Sequence, residues 1–516
     1  MNKTIIRSTP QGEIKGVEKP GYQYFIGIPF AAANKRFSKP EPVKSWDGVF
    51  DGTQKPTQPV QIPLPMVSGK TKTSEDCLYL NVYTPSSSAK KKAVMVWFYG
   101  GGFSQGAAFS RLYDGQFLAK RGDVVVVTVN YRVGHFGYAN FEHIEQNYID
   151  TKPNLGLHDQ LEALKWVNKN IEAYGGDPDK VTIFGQSAGA LSVASLVCSP
   201  QAKGLFRRAI SQSGGDVLIS SEKVSQNLTD SKLEELQVNK SNIHKLEDLP
   251  ARKMITLKMQ HVNYGTELLP EKPLDAIKNG NANNIDFMIG YTREEVALPL
   301  FIKRLGYIGK LLKIMVKRQG FSGSYESLPY APLLSSPVKD NMKEIVHYYE
   351  AYFKKSYNRF TEEDVCCAIL SDAIFTVPSR RYLNAYSTSS TAGNTYAYRF
   401  DWGARLFNSS SPISFHAVDV PFSFGTTRTL NRSLRLFAGA NESADRLSDQ
   451  MVDAWAAFAR NGDPNHESLP EWKKYSKDEP NYMLFDTVSE TTDNERNEVF
   501  SFWDQLLGED TATTFG

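Results

Sequence analysis

A large, mostly parallel α/β sheet with helices on both faces is the fold this sequence predicts, on three observations. First, continuous apolar runs of strand length recur: Ala93 to Tyr99 reads AVMVWFY and Val124 to Val129 reads VVVVTV. Runs so rich in β-branched residues, with no polar alternation, suit strands covered on both faces. Second, these runs alternate with helical patterns. Leu157, Leu161, Leu164, Val167 and Ile171 form one apolar stripe, and Gly175-Gly176 ends it. Third, 516 residues with 41% hydrophobic and 22% charged side chains exclude bulk disorder and fibrous repeats.

The remaining elements follow in order. Val181 to Gly185 (VTIFG) is a strand, and Ala188 to Cys198 the helix after it. Arg208 to Gln212, Ile285 to Ile289 and Tyr396 to Phe400 are further strands, and Met451 to Arg460 is a late helix stopped by Asn461-Gly462-Asp463-Pro464. Strand–helix alternation of this kind gives a parallel sheet. From about residue 220 to 380 the chain is richer in Lys and Glu and reads as helical, interrupted by the Ile285 strand. It predicts a cap inserted over one end of the sheet. No Pro/Ser linker cuts the chain, so residues 1–516 are expected to form one domain. The serine-rich stretches Ser387 to Thr391 and Asn408 to Ser411 read as loops.

Charge and cysteine usage narrow the function classes. Lys+Arg 59 against Asp+Glu 57 leaves +2, without the basic excess of a nucleic-acid binder. No run approaches the roughly eighteen apolar residues of a membrane helix. The opening MNKTIIRSTPQGEI has no apolar core of a secretory signal. Four cysteines are not a disulfide framework, and Cys366-Cys367 reads as two buried thiols in a helix. The expectation is a reducing, cytoplasmic compartment, with a monomer favoured. The sequons at Asn227 and Asn431 are then accidental.

The sharpest chemical signal is Gly185-Gln186-Ser187-Ala188-Gly189, between the strand VTIF and a helix. A serine on a tight strand-to-helix turn is held strained with its hydroxyl exposed, and the flanking residues must be small for the turn to close. The helix N-terminus behind it favours developing negative charge. Gly100-Gly101-Gly102 follows the strand ending in Tyr99. Glycines there let backbone N–H groups approach an oxyanion. Neither GxGxxG nor GxxxxGK[ST] fits, which excludes a phosphate loop.

A serine nucleophile needs a base, and the base an orienting acid. Among eight histidines, His135 and His158 read as packed near strand ends. His143, His244, His261, His347 and His466 lie in polar, exposed surroundings. His416, in SFHAVDVPFSFG, follows the Tyr396 strand and is late in the chain, which suits the order nucleophile, acid, base. For the acid, Glu294 and Glu295 both follow the Ile285 strand, and either could serve.

The chain resembles the type-B carboxylesterases of the α/β-hydrolase superfamily, the group that includes bacterial para-nitrobenzyl esterases and cholinesterases. The matching stretches are FIGIPFA (Phe25 to Ala31), SEDCLYLNVYTP (Ser74 to Pro85), WFYGGGF (Trp97 to Phe103), NYRVGHFG (Asn130 to Gly137), NLGLHDQLEALKWVNKNI (Asn154 to Ile171), GGDPDKVTIFGQSAGA (Gly175 to Ala190) and the late AFARNGDPN. The resemblance implies an α/β-hydrolase fold with helical cap insertions, Ser187 as nucleophile, Glu295 as acid and His416 as base. It implies oxyanion donors on the backbone of Gly101, Gly102 and Ala188, and a supporting pair, Ser213 with Asp419, behind the histidine. Departures are visible. Cys77 has no second cysteine near it in sequence, and PVQIPLPMVSGKTKT has no tryptophan, so the cholinesterase choline site has no counterpart. Val296 stands where glycine is usual, and Asp419 where glutamate is common.

Together these predict a carboxylic ester hydrolase using a catalytic triad and no metal or cofactor; HExxH spacing is absent. Its partner is a small-molecule ester with small to medium apolar acyl or alcohol groups, held in a pocket of cap aromatics and Phe103. A lipase acting on longer chains is the alternative. A non-catalytic adhesion-type homologue fits less well, because all three triad positions are present.

Overall fold

The computed structural model describes residues 3–62, 72–86, 91–144, 152–215, 217–297, 333–357, 359–403, 413–430, 435, 439–509 and 511–514. The serine-rich stretch at 408–411, the sequon at Asn431, residues 63–71 and residues 298–332, which fall in the expected cap, lie outside them.

Thirteen strands form one sheet. They are β1 (Lys3–Thr9), β2 (Gly12–Lys19), β3 (Tyr22–Pro29), β4 (Val49–Asp51), β5 (Tyr79–Pro85), β6 (Lys92–Phe98), β7 (Val125–Val129), β8 (Gly176–Gln186), β9 (Arg208–Gln212), β10 (Asp286–Thr292), β11 (Thr395–Phe400), β12 (Tyr482–Phe485) and β13 (Glu490–Thr492). The spatial order is β1-β2-β3-β5-β7-β6-β8-β9-β10-β11-β12-β13, with β4 paired to β2. From β7 to β12 every neighbouring pair is parallel, as the apolar runs predict. The fold is the α/β-hydrolase fold, a large mixed sheet with helices on both sides.

The centre is dry. Val125, Val126, Val127 and Val129 have no exposed surface, nor do Val94 and Val96 on β6. Each such side chain contributes roughly 1.5–3 kcal/mol through burial. Trp97 packs edge-on to Phe424 at 4.9 Å and against Phe184 at 4.8 Å, closing the core under the carboxyl ends of the strands. The antiparallel margin β1–β3 and β5 was not visible as apolar runs. KTIIRST on β1 alternates exposed and partly buried residues, because that edge covers only one face.

Helices follow the expected pattern. The principal ones are α1 (Leu155–Asn170), α2 (Ala188–Val197), α3 (Glu222–Glu235), α4 (Met342–Ser356), α5 (Glu362–Ser371), α6 (Val377–Thr388), α7 (Glu442–Asn461) and α8 (Asn497–Leu507). Helix α7 starts earlier than its apolar stripe predicts, because the Asn441 side chain accepts from the Ala444 N–H. A π-helical turn, Asp372–Thr376, joins α5 to α6. Cys366 and Cys367 lie in α5, and all four cysteines are buried and outside any disulfide. Among the described residues no helix is long and apolar enough to cross a membrane.

A buried ion network fastens the late chain to the cap. Glu495 accepts from Arg399 at 2.7 Å and from the Tyr291 hydroxyl at 2.9 Å, while Arg496 grips Asp372 through two bonds of 2.8 and 3.1 Å. Burial opposes the Glu495 charge, yet Arg496, Arg399 and the Tyr291 hydroxyl hold its carboxyl down to about 2.

Candidate active site

Ser187 sits between β8 and α2 with φ 56° and ψ −127°. A non-glycine residue there costs of order 1–3 kcal/mol and persists only when its surroundings over-determine it. They do. The Ser187 N–H donates to the Gln212 carbonyl at 2.9 Å, and its own carbonyl receives Leu191 N–H at 3.0 Å. Gly189 lets α2 lie against β6, since a Cβ there would collide with the Phe98 carbonyl oxygen. Ser187 is half-buried while Ala188 is fully buried.

The glycine run passes directly beside the serine. A Cβ on Gly100 would lie 2.9 Å from Ser187 Cβ and 2.6 Å from the Gln186 carbonyl oxygen. Among the described residues no acceptor takes the N–H of Gly101, Gly102 or Ala188, which leaves three donors near Ser187. The strap at residues 258–260 covers the run: Gln260 N–H donates to the Gly102 carbonyl at 3.0 Å, and Met259 Cγ comes within 2.8 Å of where a Gly102 Cβ would be.

His416 and Glu295 meet from different strand ends. His416 Nδ1 is 2.5 Å from Glu295 Oε2, and the His416 N–H donates to the Glu295 carbonyl at 3.1 Å. Glu295 Oε1 accepts the Thr292 N–H at 2.7 Å, so the carboxylate is fixed at both oxygens. Its side chain has no exposed surface. Glu294, the other candidate acid, points elsewhere: it accepts from Arg293 Nε and the Ser414 N–H, both at 2.7 Å. On its far side the imidazole meets Gln186, Nε2 to Nε2, at 3.1 Å. Phe375, from the π turn, packs over the imidazole with ring centres 4.7 Å apart.

Three expectations change. Ser213 and Asp419 do not hydrogen-bond to each other: Ser213 Oγ and Asp419 Oδ1 are both buried without a partner. Asp419 Oδ2 instead accepts from Gln212 Nε2 at 2.8 Å and Tyr398 at 3.4 Å, because the long Gln212 amide reaches it first. Burial pushes the Asp419 carboxyl up to about 6; the Gln212 bond opposes this and the Glu295 charge adds to it. Phe103 is wholly buried with its ring 4.6 Å from Tyr138, so it props the glycine run rather than offering a free face. His261 is buried, not exposed, because the neighbouring Val262–Asn263 pairs with Ile219–Ser220. His135 and His158 are buried as expected.

Gln186, Gln212 and Phe375 are contacts the sequence reading missed. Gln212 ends the strand that the sequence predicts over Arg208 to Gln212, which is a usable signal. Phe375 carried none, because a π turn has no pattern of its own.

A strained serine at the carboxyl end of a parallel strand, with a helix behind it and a His–Glu pair alongside, defines the serine hydrolases of α/β-hydrolase fold. Within that class, the chain belongs to the carboxylesterase family, whose model matches residues 3–503, and it is an enzyme of that kind. It is 33% identical over 504 residues to the para-nitrobenzyl esterase of Bacillus subtilis (strain 168), covering 93% of this chain and 95% of that one. It is 32% identical to carboxylesterase 5A of Homo sapiens, over 94% of this chain and 85% of the relative. A carboxylesterase of Geobacillus stearothermophilus superposes with a TM-score of 0.79 at 30% identity, over 96% of this chain and 99% of that one.

Proposed function

We propose that this carboxylesterase cleaves esters of small to medium apolar acyl or alcohol groups through an acyl-enzyme on Ser187. The observation that carries the proposal is the His416–Glu295 contact of 2.5 Å beside the serine turn. Ser187 Oγ attacks the ester carbonyl and its proton passes to His416 Nε2. Glu295 holds the proton on Nδ1 and faces the imidazolium that forms. The N–H groups of Gly101, Gly102 and Ala188 take the oxyanion, each worth about 3 kcal/mol by the usual cost of deleting such a donor. Collapse expels the alcohol, protonated from Nε2. Water, deprotonated by the same nitrogen, then frees the acid and regenerates Ser187.

Four buried cysteines, none of them in a disulfide, support a reducing, cytoplasmic setting, and we favour a monomer. The continuous sheet supports a single domain whose insertion between about 220 and 380 shapes the pocket. The test is a ladder of p-nitrophenyl acyl esters, with and without emulsified triglyceride. kcat/KM is expected to rise from acetyl to short or medium chains, by roughly 0.8 kcal/mol per buried methylene, and then fall. A large gain on emulsion, with long chains preferred, would make it a lipase.

A further inference from the structure

We infer that Gln186 sets the basicity of His416, its side-chain amide capping the nitrogen that must receive the serine proton. The inference rests on the proposed role of His416 as base. Glu295 faces Nδ1 at 2.5 Å, so Nδ1 carries the proton of the neutral ring and Nε2 is an acceptor. The group 3.1 Å from Nε2 is the Gln186 amide nitrogen, a donor. The amide is held in place. Gln186 is 4% exposed, and a Cβ on Gly100 would stand 2.8 Å from its Oε1.

Two consequences follow. The Nε2 lone pair is occupied at rest, so proton transfer from Ser187 needs the imidazole to exchange the Gln186 amide for the serine hydroxyl. A donor bound to the neutral ring must also be given up when the ring takes a second proton, so the amide opposes the imidazolium. The other groups facing the imidazole are Glu295 on Nδ1, Asp419 with Tyr398 behind it, and the uncharged Phe375 ring. The carboxylates favour the cation, and among these groups Gln186 acts in the opposite direction.

The experiment is the pH profile of kcat/KM for p-nitrophenyl butyrate in wild type, Gln186→Met and Gln186→Leu, each shown folded by circular dichroism. Both variants lack the N–H. Their acid limb is expected to move to higher pH by about half a unit or more, with a smaller change in KM. Gln186→Glu, which sets a carboxylate against the ring, should move it further, by about one unit or more. In histidine-selective ¹⁵N spectra of unliganded protein, the His416 resonances should titrate in the same order. An acid limb that stays or falls in Met and Leu overturns the inference, since the amide would then offer its oxygen or not touch the working base. Wild type that hydrolyses no ester overturns the proposed function instead, and the ¹⁵N titration still decides the Gln186 contact.

Discussion

His416 and Glu295 are joined twice, side chain to side chain at 2.5 Å and backbone N–H to carbonyl at 3.1 Å. The second bond fixes where the loop after β11 passes the end of β10, and the first then needs only one rotamer on each side. Glu294, one residue earlier, is committed to Arg293 and the Ser414 N–H. Exchange of Glu295 for Gln is therefore expected to lower kcat by about four orders of magnitude, because an amide stabilises the wrong tautomer. Exchange of Glu294 for Gln should cost less than tenfold, with any loss appearing in stability. Steady-state kinetics of the two variants checks this, and the reverse ranking would mean that Glu294 is the acid.

Ser187→Ala should lose about three or more orders of magnitude in ester turnover while unfolding at an unchanged or higher urea concentration. The members of a triad act as a unit, so removing one removes most of their joint effect. The positive φ of Ser187 is equally strained with alanine, so no gain from relief of strain is expected. A fluorophosphonate should label the wild type at Ser187 alone. Intact-mass and peptide mass spectrometry would reveal an adduct elsewhere.

Much of this arrangement was legible because it depends on short-range rules. The serine turn needs small residues at fixed positions, and the strands beneath it are buried on both faces, so GQSAG and VVVVTV announce themselves. The sheet margin was hidden, since β1 and β2 (KTIIRST and GEIKGVEK) have one wet face and mixed polarity. Side-chain choice at the site was also hidden. The family resemblance placed Asp419 behind His416, but its partner is decided by reach, and the Gln212 amide spans a gap the Ser213 hydroxyl does not. The choice between Glu294 and Glu295 likewise depended on which carboxylate the strand end turns inward.

Asp419 makes stability depend on pH in a predictable direction. Its carboxyl lies at about 6 in the folded chain, against roughly 3.9 when unfolded. The native state thus binds that proton more tightly, and this contribution to stability is complete below about pH 4 and lost as pH rises through 6. Asp419→Asn removes the dependence. Its stability relative to wild type should improve between pH 4 and pH 7 by a few kcal/mol at most, at about 1.4 kcal/mol per unit. Urea unfolding of both proteins at the two pH values measures the difference, and a gap that does not change with pH would contradict it.

Glu495→Gln should destabilise the chain by about 3 kcal/mol, since it leaves two partly buried guanidinium groups short of a counter-charge. Arg399 keeps Asp401 and Arg496 keeps Asp372, which limits the loss. The wild-type contribution is present above the unfolded range near 4.5 and is lost only as pH falls toward about 2. The deficit should therefore be the same at pH 6 and pH 8, and a deficit that varied between them would point to a different partner.

Gly189→Ala tests whether the serine turn is built on the close approach of α2 to β6. The added Cβ would meet the carbonyl oxygen of Phe98 and come within 2.8 Å of that of Tyr99. The Phe98 carbonyl cannot retreat, because β6 is hydrogen-bonded on both sides, to β7 and β8. Helix α2 must then lift, and Ser187 at its first turn moves with it. Overpacking of this kind costs typically 1–3 kcal/mol, and a displaced nucleophile should lower kcat by about a hundredfold. Ala194→Gly in the same helix is the control: it costs about 1 kcal/mol of helix propensity without pushing on β6, so its kcat should stay within a few-fold of wild type. Comparable stability losses in the two variants, with kcat falling only in Gly189→Ala, would locate the effect in the position of Ser187. Equal kcat values would show that the turn tolerates a wider spacing between α2 and β6.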